Sequence, residues 1–514
     1  MGQELRTDAR PRATSRVAVR ISIAVAASLV LAGCSSTSNE PSVAESSVSV
    51  DLGTYYSQPV TWSACKDGFQ CASFTVPLNY SDPASKPITI EMLKAPATNP
   101  NKRRGAIVVN PGGPGGSGVD FARNASGTVS SAIMSEYDIV GFDPRGVGKS
   151  TPIDCLDGPQ TDTLVATLGT PQSPAQEEQA VASAASLGAG CAANSPELTP
   201  NIGTIPAARD MDILRGVLGE SSLNFLGLSY GTFLGLTYAD LFTDKVGQFV
   251  LDGVINPDLT NDELARGQAE GFQLALSSFI ADCPTHTNCP LPTDPAAATK
   301  KIDDWLTSVG NDPIEGSAGR PLTRPLATNG IIGSLYEPQF GWWDLRSALR
   351  AGFKGNGTPL MRIVDSFTGR QPDGTYSGNS LDALYAVNCL DRTDRADPQR
   401  TLALGEEWAS TAPTFGRELA WSNLPCFDYP APPTNEPHVI TAEGGAPILL
   451  VGTTRDPATP YVWAKVVNDQ LASSVLVTFD GDGHTGYGRN SCVTQAVDQA
   501  FLTGQLPDDD ITCV

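Results

Sequence analysis

Apolar residues in this chain fall into short runs separated by glycine- and proline-rich breaks. Gly105-Ala-Ile-Val-Val-Asn110, Tyr137-Asp-Ile-Val-Gly-Phe142, Leu223-Asn-Phe-Leu-Gly-Leu228 and Gly247-Gln-Phe-Val-Leu-Asp252 each have the length of one buried strand. Ala446-Pro-Ile-Leu-Leu-Val-Gly452 and Ser474-Val-Leu-Val-Thr-Phe479 repeat the pattern near the C-terminus. Between these runs the period changes. Ala207 to Leu218 reads as an amphipathic helix, with Ala208, Met211, Ile213, Leu214, Val217 and Leu218 apolar. Thr232 to Phe242 and Val493 to Leu502 are helix-compatible, and the Ala- and Gln-rich residues 152–200 predict peripheral helices. Strands alternating with helices predict an α/β domain with a mainly parallel sheet. From Asn256 to about Ala446 the alternation is lost. That stretch holds Trp305, Trp342, Trp343, Trp408 and Trp421 among many proline and glycine breaks.

The N-terminus has its own pattern. Five arginines (Arg6, Arg10, Arg12, Arg16, Arg20) precede an apolar run from Ile21 to Ala32. A basic flank before a short apolar run predicts an export signal, since the run is too short to span a bilayer comfortably. It ends in Leu31-Ala32-Gly33-Cys34, which resembles a bacterial lipobox, with Cys34 acylated as the mature N-terminus. Residues 35 to about 55 are rich in Ser, Thr, Pro and Glu, as a flexible tether is. The expected location is therefore the cell envelope, with the chain held on the outer face of the membrane by its lipid.

Cysteine usage agrees with export. Of 11 cysteines, Cys34 apart, ten remain. Their spacing suggests the pairs Cys65–Cys71, Cys155–Cys191, Cys283–Cys289, Cys389–Cys426 and Cys492–Cys513, and oxidised cysteines imply a compartment outside the cytoplasm. No histidine stands at zinc-finger spacing, and Cys283–His286–Cys289 is too short to supply four ligands, so no metal or cofactor is expected. The net charge is −22. Removing residues 1–33 takes away a net +3 (five arginines against Glu4 and Asp8), leaving −25 on the mature chain. Such a charge excludes nucleic acid as a partner, because phosphate binding needs a basic surface.

Two glycine-rich stretches carry chemistry. The run Leu223–Leu228 enters Gly227-Leu-Ser229-Tyr-Gly231, followed by helix-compatible residues. Strand, G-x-S-x-G, helix is the context of a nucleophile elbow, whose tight turn needs small residues two positions either side of the serine. The backbone N–H of Tyr230 points to the same spot as the serine hydroxyl. The strand Gly105–Asn110 runs into Pro111-Gly-Gly-Pro-Gly-Gly-Ser117-Gly118. A phosphate cradle would need the G-x-x-x-x-G-K spacing, which is missing here. With an elbow downstream, the backbone N–H of Gly113 is the expected second arm of an oxyanion hole. Asp143 and Arg145, in Asp143-Pro-Arg-Gly146, are expected to fix a loop.

Asn110-Pro-Gly-Gly-Pro-Gly115, Gly141-Phe-Asp-Pro-Arg-Gly146 and Gly227-Leu-Ser-Tyr-Gly-Thr232, with the C-terminal stretches, resemble the secreted actinobacterial tripeptidyl aminopeptidases. These belong to the prolyl-iminopeptidase branch of the α/β-hydrolases, and a subset are cell-envelope carboxylesterases and serine proteases. The similarity runs from about Val60 to the C-terminus. One departure is that many prolyl iminopeptidases have histidine where Pro111 stands, which weakens any expectation of strict proline specificity. The resemblance implies an α/β-hydrolase fold with a large cap inserted after the sixth strand. The expected division is 1–33 signal, 34–58 tether, 59–255 core, 256–445 cap and 446–514 core.

In that fold the acid follows the strand restored at Ala446–Gly452, where Thr453-Thr-Arg-Asp456 stands, and the histidine follows the last strand, in Asp480-Gly-Asp-Gly-His484. Ser229, Asp456 and His484 are the expected triad, in the chain order of the fold. Asp252 also ends a strand and is the rival acid. The chain has three histidines, and His286 and His438 lie in a short cysteine loop and a proline-rich approach. The implied activity is a serine exopeptidase that releases short N-terminal peptides; the same triad would serve a carboxylesterase. A peptide or ester substrate and the membrane are the expected partners. In the cap, Asp391 of Asn388-Cys-Leu-Asp391, and in reserve Glu337 of Tyr336-Glu337, are candidates to grip a substrate amine. The tryptophans are expected to be cap core.

Overall fold

A computed structural model describes residues 52–514. The six apolar runs all become strands of one ten-stranded sheet. In chain order its strands are β1 (Ser63–Ala64), β2 (Gln70–Asn79), β3 (Asp82–Ala95), β4 (Gly105–Asn110), β5 (Tyr137–Phe142), β6 (Leu223–Leu228) and β7 (Val246–Asp252). A separate small hairpin, β8 (Ile314–Ser317) and β9 (Arg320–Leu322), lies in the inserted segment. The sheet then resumes with β10 (Ile448–Arg455), β11 (Ser474–Asp482) and β12 (Ile511–Cys513). The spatial order is β1-β2-β3-β5-β4-β6-β7-β10-β11-β12. From β5 to β12 every pairing is parallel, and β1, β2 and β3 add an antiparallel edge.

Parallel strands need helical crossovers, so both faces of the sheet are covered and the strands read as unbroken apolar runs. All six residues of β4 and of β5 are buried. Val108, Phe142, Phe225 and Phe249 face one side, under the helices Thr204–Val217 and Tyr230–Leu241. Ile107, Ile139, Leu226, Val250, Val451 and Val477 face the other, against the helix Ser491–Thr503.

The insertion after β7, the sixth strand when the two-residue β1 is set aside, is helical and carries its own core. Phe272, Leu276 and Phe279 of the helix Asn261–Asp282 pack with Ile302, Leu306, Ile331, Leu345 and Leu349. Trp408 and Trp421 are buried, while Trp343 is 59% exposed and belongs to no core.

All ten cysteines among the described residues are paired, in the order their spacing suggests. Cys34 lies outside the described residues. The expected tether boundary at 58 shifts, because residues 53–58 pack on the core. Tyr56 donates its hydroxyl hydrogen to Asp212 at 2.6 Å, and Gln58 pairs with the backbone of Thr75 on β2.

Candidate active site

Ser229 follows β6 directly, with φ 57° and ψ −126°, and the helix Tyr230–Leu241 starts at the next residue. A side chain at positive φ is unfavourable, so the turn has to be held from outside. The Ser229 N–H donates to the carbonyl of Asp252 on β7 at 2.9 Å. Its carbonyl accepts from Thr232 twice, from N–H at 2.8 Å and from the hydroxyl at 2.6 Å. The flanking glycines are steric necessities. A Cβ on Gly227 would lie 2.4 Å from the Gly231 carbonyl, and one on Gly231 would lie 2.7 Å from the Asn110 carbonyl.

The glycine loop after β4 packs against this turn. Gly112 has φ +96°, and a Cβ there would come within 2.9 Å of both Ser229 Cβ and Tyr230 N. Its N–H is taken by Asn110 Oδ1 at 2.9 Å. Among the described residues the N–H groups of Gly113 and Tyr230 have no acceptor. The loop is braced by Asp143, which accepts from the Ser117 hydroxyl at 2.6 Å, Val119 N–H and Lys149 N–H. Arg145 is fully buried against Asp210 and the carbonyls of Pro77, Leu78 and Asn201. Both residues are structural, as expected of them.

The loop after β11 carries His484. Its Nδ1–H faces the Asp456 carboxylate at 2.9 and 3.0 Å, with the Thr459 hydroxyl at 3.4 Å. Asp456 also accepts from the N–H groups of Ala458, Thr459 and Thr485, so the carboxylate is fixed in place. His484 Nε2 is buried and has no partner among the described residues. The Cε1 edge of the ring lies beside Gly253, where a Cβ would sit 3.2 Å from it. Gly253 directly follows Asp252, whose carbonyl holds Ser229. The carboxylate on the imidazole is that of Asp456. Asp252, the rival acid, bonds instead to the backbone of Gly486 and Tyr487.

The structure separates the two acids expected to grip a substrate amine, and corrects the first. Asp391 is 0% exposed. Its oxygens accept from the Thr204 N–H at 2.7 Å and the Thr204 hydroxyl at 2.5 Å. Gly203, before the helix Thr204–Val217, has no side chain to cap it, and Asp391 supplies the missing acceptor. The same Thr204 hydroxyl contacts the Tyr230 hydroxyl, so Asp391 braces the residue after Ser229 from within the core. Burial pushes its carboxyl up to about 6. No substrate amine reaches it.

Glu337 stands in the cap beside the His484 loop. Its carboxylate is 45% exposed, and its Oε1 accepts from Arg489 at 3.0 Å, while Oε2 is unbonded among the described residues. The residue before it, Tyr336, meets the imidazole edge-on with ring centroids 5.3 Å apart. Its carbonyl accepts the His484 N–H at 3.0 Å. Arg489 also donates to the His484 carbonyl at 2.8 Å. The sequence carries no signal for these last contacts, because two of the three run through backbone carbonyls. The other histidines pair with surface acids, His286 with Asp282 and His438 with Asp240.

Three relatives resemble the chain over most of its length. Serine protease Hip1 of Mycobacterium tuberculosis is 32% identical, covering 89% of this chain and 91% of the relative. Carboxylesterase B of the same organism is 36% identical, covering 88% and 89%. Tripeptidyl aminopeptidase of Streptomyces lividans is 32% identical, covering 86% and 83%. Residues 412–513 match the family model described as TAP-like protein.

Proposed function

The chain belongs to the tripeptidyl aminopeptidase-like α/β-hydrolases, and from that premise we propose that it removes short peptides from free N-termini through an acyl-enzyme on Ser229. It is a serine hydrolase, as its family is. A serine hydroxyl is a poor nucleophile near neutral pH and needs a base to take its proton during attack. His484 Nε2 fills that role. Asp456 on Nδ1 fixes the tautomer that leaves Nε2 free to accept, and stabilises the imidazolium that follows. The N–H groups of Gly113 and Tyr230 receive the oxyanion of the tetrahedral intermediate, each contributing about 3 kcal/mol to the barrier reduction. The imidazolium then protonates the leaving amine, and water repeats the sequence on the acyl-enzyme. One observation carries this assignment: an imidazole held on Nδ1 by a buried carboxylate, with its other nitrogen buried and unpartnered and its Cε1 edge beside Gly253, the residue after the one that anchors Ser229.

Exopeptidase action is supported by Glu337, a half-exposed cap carboxylate adjoining the residue bonded to His484. An ammonium group on such a carboxylate gains about 1.5–3 kcal/mol, more than a neutral hydrogen bond. The test is a pair of tripeptidyl substrates with free and acetylated N-termini. Acetylation is expected to lower kcat/KM at least about tenfold, a change of about 1.4 kcal/mol. Equal rates on both, with fast hydrolysis of simple esters, would favour the carboxylesterase reading, which the relative bearing that name supports.

The proposal extends to location. The arginine-flanked apolar leader ending in Leu31-Ala-Gly-Cys34 supports export and acylation at Cys34, which would hold the enzyme at the outer face of the cell membrane.

A further inference from the structure

Asp252 ends β7, and it is hydrogen-bonded to both halves of the site. Its carbonyl accepts the Ser229 N–H at 2.9 Å. Its carboxylate, 0% exposed, accepts the Gly486 N–H through both oxygens at 3.0 Å and the Tyr487 N–H through Oδ2 at 2.8 Å. The following residue, Gly253, turns at φ +73° with its N–H on the Val451 carbonyl, and passes beside His484 Cε1.

The loop that needs holding is a soft one. Residues 483–488 include Gly483, Gly486 and Gly488, all between β11 and the helix Ser491–Thr503. Glycine gives such a segment many alternative backbone states, so its native one must be selected by outside contacts. From the cap, Tyr336 holds the N–H of His484, and Arg489, five residues on in the chain, holds its carbonyl. Asp456 holds Thr485. From the sheet, Asp252 holds the next two residues. Removing it would leave two buried N–H groups without acceptors.

We propose that Asp252 is a positioning residue which sets the His484 loop in register with Ser229, acting through its acceptor oxygens and without touching the imidazole. Burial pushes its carboxyl up to about 6, and the role does not depend on its charge, because a neutral carboxyl keeps an acceptor oxygen. The inference rests on Ser229 and His484 reacting as a pair, so the test includes an independent check on that pair.

The experiment compares the full chain with Asp252→Asn and Asp252→Ala, using a p-nitrophenyl ester for kcat and KM and a fluorophosphonate for covalent capture of Ser229. Thermal melts select folded protein. An asparagine carbonyl at the Oδ2 position can still accept from both N–H groups, so this variant is expected within about tenfold of wild-type kcat. The alanine variant is expected to lose at least about 100-fold in kcat and in capture rate, with KM within about twofold. A general loss of structure would not give that split or that order. If the alanine variant does not fold, Asp252→Ser takes its place with the same thresholds. A folded alanine or serine variant at wild-type kcat overturns the proposal, and so does an asparagine variant that falls as far as alanine. A wild type whose Ser229 is not captured overturns the triad reading, and this inference with it.

Discussion

The carbonyl of Tyr336 accepts the N–H of His484 at 3.0 Å, so the loop that carries the imidazole is bonded directly to the cap that covers it. Arg489 completes the tie, with one guanidinium arm on the His484 carbonyl and the other on Glu337. Truncating it, as Arg489→Ala, should lower kcat about tenfold and reduce the melting temperature, because the bonds to backbone are largely shielded. Glu337→Gln should barely move the melt, since a half-exposed ion pair is worth under about 1 kcal/mol. Its expected effect is a higher KM for free-amine substrates and none for acetylated ones. A Glu337→Gln enzyme with unchanged KM on both would remove that residue from substrate recognition.

Three buried acids make stability depend on pH. Burial pushes Asp252, Asp382 and Asp391 each up to about 6, against about 3.9 for an unfolded aspartate. Between about pH 4 and 6 the folded chain therefore binds more protons than the unfolded one, and stability falls as pH rises through that window. The wild type should melt higher at pH 5.5 than at pH 7.5. Asp391→Asn should narrow that gap and should affect free-amine and acetylated substrates equally. Melts that rise from pH 5.5 to 7.5 would contradict the assignment.

The disulfide Cys492–Cys513 ties the helix Ser491–Thr503 to the edge strand β12 across a separation of 21 residues. Closing a loop of that size contributes about 3 kcal/mol in the chain-entropy account. The double variant Cys492→Ala/Cys513→Ala should melt several degrees lower, with kcat on an ester unchanged within about threefold. An unchanged melt would mean that β12 is held by its pairing with β11 alone.

Anchoring is expected to depend on Cys34. Wild-type protein should partition into detergent and Cys34→Ser should not. A single acyl chain binds a membrane only marginally, so the mature N-terminus should carry two or three chains. Mass spectrometry that finds Cys34 unmodified would contradict the anchor.

The strands that build the site were legible because a parallel sheet buries both faces: β5 and β6 begin and end at the residues read from the sequence. The hairpin of β2 and β3 is hard to read in the sequence, although Ala72, Phe74 and Val76 alternate with more exposed positions until Pro77. Half-buried antiparallel strands give this weaker signal, and prolines at 77, 83 and 87 obscured it further. The strand-end positions of Ser229, Asp456 and His484 are legible because each follows a strand at a glycine-rich or otherwise recognisable turn. Asp391 could not be placed. Its local sequence is the same whether its carboxylate faces a cleft or caps a helix 187 residues earlier, and only the packing of Thr204 under Tyr230 decides between them. Asp252 was legible as a strand-end acid but not as a ligand of loop N–H groups, since those partners are backbone.

The most direct test of the account is the identity of the nucleophile. Purified enzyme would be treated with a fluorophosphonate, digested and mapped by mass spectrometry, with turnover of a tripeptidyl substrate measured beside it for wild type, Ser229→Ala and Asp456→Asn. The account predicts one adduct per chain, on Ser229. It also predicts a loss of at least about 10³-fold in kcat for Ser229→Ala with a melt close to wild type, and a severe loss for Asp456→Asn. An adduct on another residue, or turnover that survives Ser229→Ala in folded protein, would contradict it.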